Sequence, residues 1–403
     1  MNRKITSAAI TALLMGATNS QAGGLWLNEY GDFSGGRSSA GASAGTDEAA
    51  TIIHNPAGGS LIEGSELFVA AGILMPTVEF DIDYTNPVNG DDDGGSAALD
   101  APVASFAYVH DNGDSDWTFG VYTAGLAGAG LENNKDWVGR FQATDVELLL
   151  LALAPTASYR INDQLSIGAA VQYFYGSLDM ELALPNIGPG NPDRRAKLDG
   201  TDDSFAFTLG AIYELNDSTR LGINYQSEIE ADFDGKLKGN TAGVQVDSNT
   251  ELTMAQMVRV GLRHQFSPEV AIDLTLGWDD WSALDNVFVS LPELEAGLAK
   301  NWDDTYHYAA GFEVKVNKDW DLTSGISYDT NPVSSQDRTV DLPVDRQIRY
   351  SVGTRYRFSD TLTFGGYLNY IDLGTAPIKG ERWGGEYSKN DVVAISAFLN
   401  WKL

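Results

Sequence analysis

The sequence has no cysteine. Disulfides and thiolate metal sites are therefore excluded, and stability must come from packing and backbone pairing. Histidine is nearly as scarce. His54, His110, His264 and His307 show no spacing that suits a metal, and neither a metal nor a cofactor is expected. Positive charge is short as well, with 26 basic against 56 acidic residues and a net charge of −30. Phosphate binding needs clustered Lys and Arg, so nucleic acid is not an expected partner. The acids keep exposed loops solvated. Many fall in turn-like stretches such as residues 89–95, where a solvated loop is the plain reading and a calcium site the alternative. Long apolar runs are also missing. The longest, residues 148–155, is far short of the roughly 20 residues a spanning helix needs.

What is present begins with an export signal. Arg3 and Lys4 give a positive start, residues 5–15 are apolar, and Ser20-Gln21-Ala22 is a small-residue cleavage site. Residues 1–22 are read as a signal peptide, with Gly23 as the first mature residue.

Beyond residue 63 the chain alternates between apolar and polar residues with period two, the mark of strands with two unlike faces. Val270, Ile272, Leu274, Leu276 and Trp278 form one phase, against Ala271, Asp273, Thr275 and Gly277. About fourteen such strands are expected, near 64–76, 99–110, 116–127, 146–160, 164–184, 202–215, 218–234, 252–266, 269–281, 303–316, 319–329, 346–358, 361–372 and 391–403. The links after even strands are tight and carry turn residues, such as Asn162-Asp163 and Asn216-Asp217. The links after odd strands are long. Short turns on one side and long loops on the other are the layout of an outer-membrane barrel. Lipid cannot satisfy backbone N–H and C=O groups, so without a spanning helix only a closed barrel can cross it. Trp278, Trp281, Tyr306, Tyr308, Tyr356 and Trp401 near strand ends suit interfacial girdles. The expected fold is all-β: a transmembrane antiparallel barrel over residues 64–403, multi-pass in a Gram-negative outer membrane.

Residues 23–63 lack this rhythm and are rich in Gly, Ala and Ser. A broken, small-residue segment of this length suits a plug inside the lumen. Asn55, Pro56 and Ala57, followed by Gly58 and Gly59, are expected to break it and turn it into the wall. The stretch "LNEYGDFSGGRSSAGASAGTDEAATIIHNPAG" resembles the N-terminal hatch of the FadL family of outer-membrane transporters for long-chain fatty acids and hydrophobic compounds. "DWVGRFQA", "WDDTYHYAAGFEV", "SYDTNPV" and "LPVDRQIRYSVG" extend the resemblance over nearly the whole chain.

The resemblance implies a fourteen-stranded barrel plugged by a movable hatch (Asn55, Pro56 and Ala57 at the gating break), an apolar interior pocket and a kinked third strand. That kink would give a lateral exit into the membrane. In "WTFGVYTAGLAGAG", Gly120, Gly125 and Gly128, with Gly130, would weaken ladder pairing and allow the bend. The outer loops near 185–201 and 235–251 look short for the family's capture groove.

Arg259, Arg263, Arg349, Arg355 and Arg357 fall in the lumen phase. Arg259 and Arg349, nearer mid-depth, are the candidates for holding a fatty carboxylate by charge-assisted bonds. The structural alternative pairs these arginines with acids such as Glu29, Asp32, Asp47 or Glu48. Phe174, Ile212 and Tyr367, apolar residues in the polar phase, should line the pocket. The expected activity is passive uptake of hydrophobic molecules, with long-chain fatty acids first and neutral aromatic or aliphatic hydrocarbons second. The other classes are a general porin, a structural barrel or adhesin, and a lipase using Ser43 in Gly41-Ala42-Ser43-Ala44-Gly45, a formal nucleophile elbow with no preceding strand. No enzymatic activity is expected. The expected surroundings are outer-membrane lipid and lipopolysaccharide, with the barrel-assembly machinery acting on a monomer.

Overall fold

A computed structural model describes residues 25–111, 113, 115–185, 193–239, 245–284, 286–291 and 294–403, with backbone alone at 286–291 and 294–298. The expected signal peptide, residues 1–22, lies outside them. Fourteen antiparallel wall strands follow one another around a closed barrel: β1 (Ser65–Tyr84), β2 (Ala101–Asp111), β3 (Trp117–Glu132), β4 (Asp145–Arg160), β5 (Leu165–Leu184), β6 (Arg194–Asn216), β7 (Thr219–Gln226 and Ile229–Gly239), β8 (Gln245–Met254 and Met257–Ser267), β9 (Val270–Asp279), β10 (Thr305–Lys315), β11 (Trp320–Asp329), β12 (Gln347–Arg357), β13 (Leu362–Asp372) and β14 (Gly384–Lys402). β14 closes on β1 from Glu66↔Lys402 upward. Closure pairs the last strand with the first, which is the condition for crossing lipid.

The two phases take opposite faces. On β9, Leu274 and Leu276 are exposed outward, while Ala271, Asp273 and Thr275 are buried inward. Tyr306, Tyr308 and Trp401 are also exposed on the outside. Trp281 is not a girdle residue. It lies in a short 3-10 turn, Trp281–Ala283, fully buried against Trp26 and Trp302 at centroid distances of 6.3 and 5.4 Å.

Several strands run further outward than the alternation suggested. β6 starts at Arg194, β7 reaches Gly239 and β8 starts at Gln245. Much of what reads as two short loops is therefore strand. A hairpin, Asn286–Leu291 and Leu294–Ala299, adds to this outer sheet through Phe288↔Glu251. The sequence missed these extensions because charged residues recur on their exposed face, as at Arg194 and Lys197 on β6, Lys236 and Lys238 on β7, and Asp247 and Glu251 on β8.

Residues 25–64 fill the lumen with three 3-10 turns, Phe33–Arg37, Ala42–Ala44 and Pro56–Leu61, and one helical turn, Thr51–His54. The Asn-Pro-Ala break does not turn the plug into the wall. Pro56 opens a 3-10 turn, and Gly58 and Gly59 lie within it. The reversal comes at Gly64, whose φ of 75° disfavours other residues. Asn55 is a bolt. It is fully buried; its Oδ1 accepts from Ala57 N at 3.0 Å, and its Nδ2 donates to Ser43 O at 2.7 Å, Ile223 O at 3.2 Å and Ala211 O at 3.3 Å.

The wall makes room for this bolt with glycine. A β-carbon at Gly210 would fall within the shell of the Asn55 amide oxygen, and one at Gly222 would strike the backbone at Ser43. Gly210→Ala is expected to unseat the hatch at a cost of about 1–3 kcal/mol. Limited proteolysis should then cut within residues 46–60 while the barrel keeps its heat-resistant, folded migration; an uncut hatch would contradict this docking.

A window in the wall and the lumen behind it

β2 and β3 pair from Asp111↔Thr118 to Ser105↔Ala124, and there the register stops. Residues 101–104 of β2 continue to pair with β1 alone. β3 stays on β4 but shifts register between Gly125 and Ala127, leaving Leu126 as a bulge. A bulge bends its strand and re-aims the chain beyond it. Further up the two segments are bridged at Ala98↔Leu131, beside which Glu132 N donates to Ala97 O at 2.9 Å. A window is thus left in the wall, bounded below by Ser105 and Ala124 and above by Ala98 and Leu131.

Below the bulge β3 alternates. Above it, residues 126–131 are all buried, so both faces of the strand are covered. The start of the hatch covers one edge: Trp26 bridges Ala127, and Leu27 N donates to Leu126 O at 2.8 Å. Gly125 is at the bend and Gly128 beside the window. Gly120 is not part of it. It keeps register with Val109 and Thr156 and makes room for Ile52 of the hatch. The Trp26–Leu27 clasp carried no pattern of its own in the sequence. The bulge left one signal, the small residues in both phases of "AGLAGAG".

Behind the window lies a large apolar cluster that includes Leu126, Leu148, Leu150, Phe174, Phe233 and Met257. It continues outward through Trp281 and Trp302 to Val333, Leu342 and Val344 of the segment between β11 and β12. That segment covers the outer mouth. Lys300, fully buried, holds it through Asp341 at 2.5 Å and Thr339 at 2.8 Å. Burial would raise the Asp341 carboxyl, but Lys300 outweighs it and holds the group below the usual range.

Of the five expected ligand contacts, Phe174 belongs to this cluster. Ile212 lies against Gly45, and Tyr367 packs on Gly35 while its hydroxyl accepts from Gly31 N at 3.2 Å. These two line the socket of the hatch, a correction to their reading as pocket walls. Arg259 grips Asp279 with both terminal nitrogens, at 2.7 and 3.0 Å. Arg349 Nε meets Glu29 of the hatch at 2.7 Å and its Nη1 donates to Ser327 at 3.1 Å. Both candidate carboxylate binders therefore hold acids of the protein itself. Ser43 lies in a 3-10 turn, not on the strand–turn–helix a nucleophile elbow requires.

The remaining lumen arginines form a network that ties hatch to wall. Arg37 of the hatch reaches Asp273 at 3.3 Å; Arg263 joins Asp273 at 3.1 Å and Glu313 at 2.7 Å. Arg355 joins Glu313 at 3.1 Å, Asp321 at 2.8 Å and hatch Glu48 at 3.6 Å, and Arg357 also bonds Asp321. Within the hatch, burial would raise the Asp32 carboxyl, but His54 at 3.1 Å and Ser34 outweigh it and hold it down at about 2. Glu48 goes the other way. Burial pushes it up to about 8 against the pull of Arg355.

A family model described as outer membrane protein transport protein (OMPP1/FadL/TodX) matches residues 13–395. The long-chain fatty acid transport protein of Escherichia coli O6:H1 is 23% identical over 417 residues, covering 93% of this chain and 91% of that relative. Among solved structures, a FadL homologue of Pseudomonas aeruginosa superposes with a TM-score of 0.85 at 19% identity, covering 94% of this chain and 99% of that one. The toluene transporter TbuX of Ralstonia pickettii gives 0.70 at 18%, covering 93% and 98%.

The raised Glu48 sets a pH dependence. A carboxyl whose folded value lies above its unfolded one favours the docked state at low pH and loses that contribution as pH rises through about 8. Amide exchange in residues 46–53, corrected for its intrinsic rate, should therefore show weaker protection at about pH 9 than at about pH 6, and Glu48→Gln should flatten the difference. Protection that grows with pH would contradict this assignment.

Proposed function

We propose, from the premise that this chain belongs to the outer membrane protein transport family (OMPP1/FadL/TodX), that it takes up hydrophobic molecules passively and releases them sideways into the membrane. The observation that carries the lateral route is the window between β2 and β3, which faces lipid on one side and the apolar cluster on the other. A lipophile gains roughly 25 cal/mol for each Å² of apolar surface it buries. A path lined by Phe174, Leu148, Leu150 and Leu126 therefore needs no energy source, provided each stop is weak enough to leave. The hatch that fills the lumen favours this reading over an open, water-filled porin.

Long-chain fatty acids are the first cargo proposed, in line with the name of the Escherichia coli relative. Neutral hydrocarbons are the second, supported by the TbuX likeness and by the acids already bound to Arg259 and Arg349. Asn55, Pro56 and Ala57 anchor the hatch under this reading, and Gly125 and Gly128 shape the exit. The barrel acts as a monomer among outer-membrane lipid and lipopolysaccharide, after folding by the barrel-assembly machinery.

Deleting Leu126 removes the bulge and lets β3 continue in register beside β2. Uptake of a radiolabelled fatty acid or hydrocarbon, in cells lacking other routes, should fall by about tenfold or more with the barrel still folded. Unchanged uptake would point to a periplasmic exit instead.

A further inference from the structure

A small cavity of about 50 Å³ lies in the lumen directly inside the window. Its apolar side is Ile53, Leu126 and Met257, all members of the large cluster. Its polar side includes Asn224 and Gln226 of β7, Tyr30 and His54 of the hatch, Arg259 and His307. Leu126 is also the bulge residue, so the cavity adjoins the proposed exit.

Two of its lining residues carry buried polar atoms that lack partners. Asn224 Oδ1 is a buried acceptor and Gln226 Nε2 a buried donor, on side chains only 6% and 5% exposed. An unmet buried polar atom is costly, so each calls for a partner. What fits both is a group that donates one hydrogen bond and accepts another. A hydroxyl does so. A carboxylate does not, because it has no proton to give.

The charges around the cavity agree. Arg259 is its one permanent cation and is already bidentate on Asp279. His54 faces Asp32 and His307 faces Asp329 at 2.7 Å. Even with both histidines protonated, three cations meet three acids, so no positive charge is left for an anion. Tyr30 supplies no charge of either sign, since burial pushes its phenol up and keeps it protonated. Arg349 has an unpartnered Nη2, but it does not line the cavity, and its pair Glu29 offsets its charge.

We propose that this cavity binds an uncharged, hydroxyl-bearing end group of the transported lipophile: an alcohol, or a carboxylic acid in its protonated form. The ligand's tail lies on Ile53, Leu126 and Met257 and points along the apolar cluster towards the window. The assignment rests on the uptake reading above and narrows it, because a fatty acid sheds its charge before it seats and a long-chain alcohol needs no such step.

The test uses the full barrel in lipid nanodiscs and three ligands of one chain length: 1-dodecanol, dodecanoic acid and dodecane. Binding is followed by tryptophan fluorescence. Dodecanol is expected to bind about tenfold tighter than dodecane at both about pH 5 and about pH 8. Dodecanoic acid should approach dodecanol at about pH 5 and weaken about tenfold or more at about pH 8, where it is ionised. Dodecanol, which does not ionise, serves as the control for any effect of pH on the protein itself. Asn224→Leu with Gln226→Leu should erase the advantage of dodecanol and leave dodecane unchanged.

Dodecanoic acid bound at about pH 8 as tightly as dodecanol would overturn the proposal. So would equal binding of dodecanol and dodecane, with the cavity then holding water only and the uptake reading intact. Failure of all three ligands to bind would instead remove the uptake reading itself.

Discussion

A backbone N–H or C=O in lipid must find a partner within the protein, and this requirement shapes the whole molecule. It forces the wall to close, β14 on β1, and it fixes what a hole in that wall can look like. A gap between strands exposes two ladders. Here one side is relieved by a bulge that turns β3 inward, and the turned strand is met by the backbone of Trp26 and Leu27. The start of the hatch thus does the work of a missing strand. The same contact links the plug to the opening, so disturbance of the hatch's first residues is felt at the window.

Electrostatics serve the same end. A chain with 56 acids directs Arg37, Arg259, Arg263, Arg349 and Arg355 inward, where each finds one or more carboxylates. Buried pairs of this kind add little net stability over an apolar replacement, yet removing one partner costs about 3–5 kcal/mol. Their value is positional. Arg37, Glu29 and Glu48 hold the hatch to β9, β12 and, through Arg355, to Glu313 and Asp321. These are discrete, hydrogen-bonded contacts that can release and re-form.

How much of this was legible beforehand follows from which forces leave a pattern. Alternation reported the fourteen strands well, because lipid on one side and a filled lumen on the other impose unlike faces on every wall residue. It failed at the outer ends of β6 to β8, where charged residues take the exposed face and glycine, serine and threonine interrupt the apolar one, although Ala196, Leu198, Ser248 and Thr250 are buried. Tight turns were legible from their Asn and Asp residues. The hatch was legible as irregular, but the work of its residues was not. Pro56 and the glycines after it read as a turn, whereas the contacts of Asn55 with Ala211 and Ile223 depend on strands more than 150 positions away. Arg259 and Arg349 were placed in the lumen correctly by phase, but their partners Asp279 and Glu29 come from register and from hatch placement, neither of which period two encodes. Trp281 misled for a related reason: a tryptophan near a strand end suits a girdle or a capped mouth equally well.

The central claim is that the wall is interrupted between β2 and β3 and that hatch backbone covers the interruption. Residue-level amide exchange of the protein in bilayers tests it most directly. The account predicts slow exchange at the paired amides of Phe119–Ala124, and exchange at residues 125–130 that accelerates when residues 23–27 are removed while the rest of β3 stays protected. Equal, deep protection along the whole of β3, unaffected by that truncation, would mean the wall is continuous and the account is wrong.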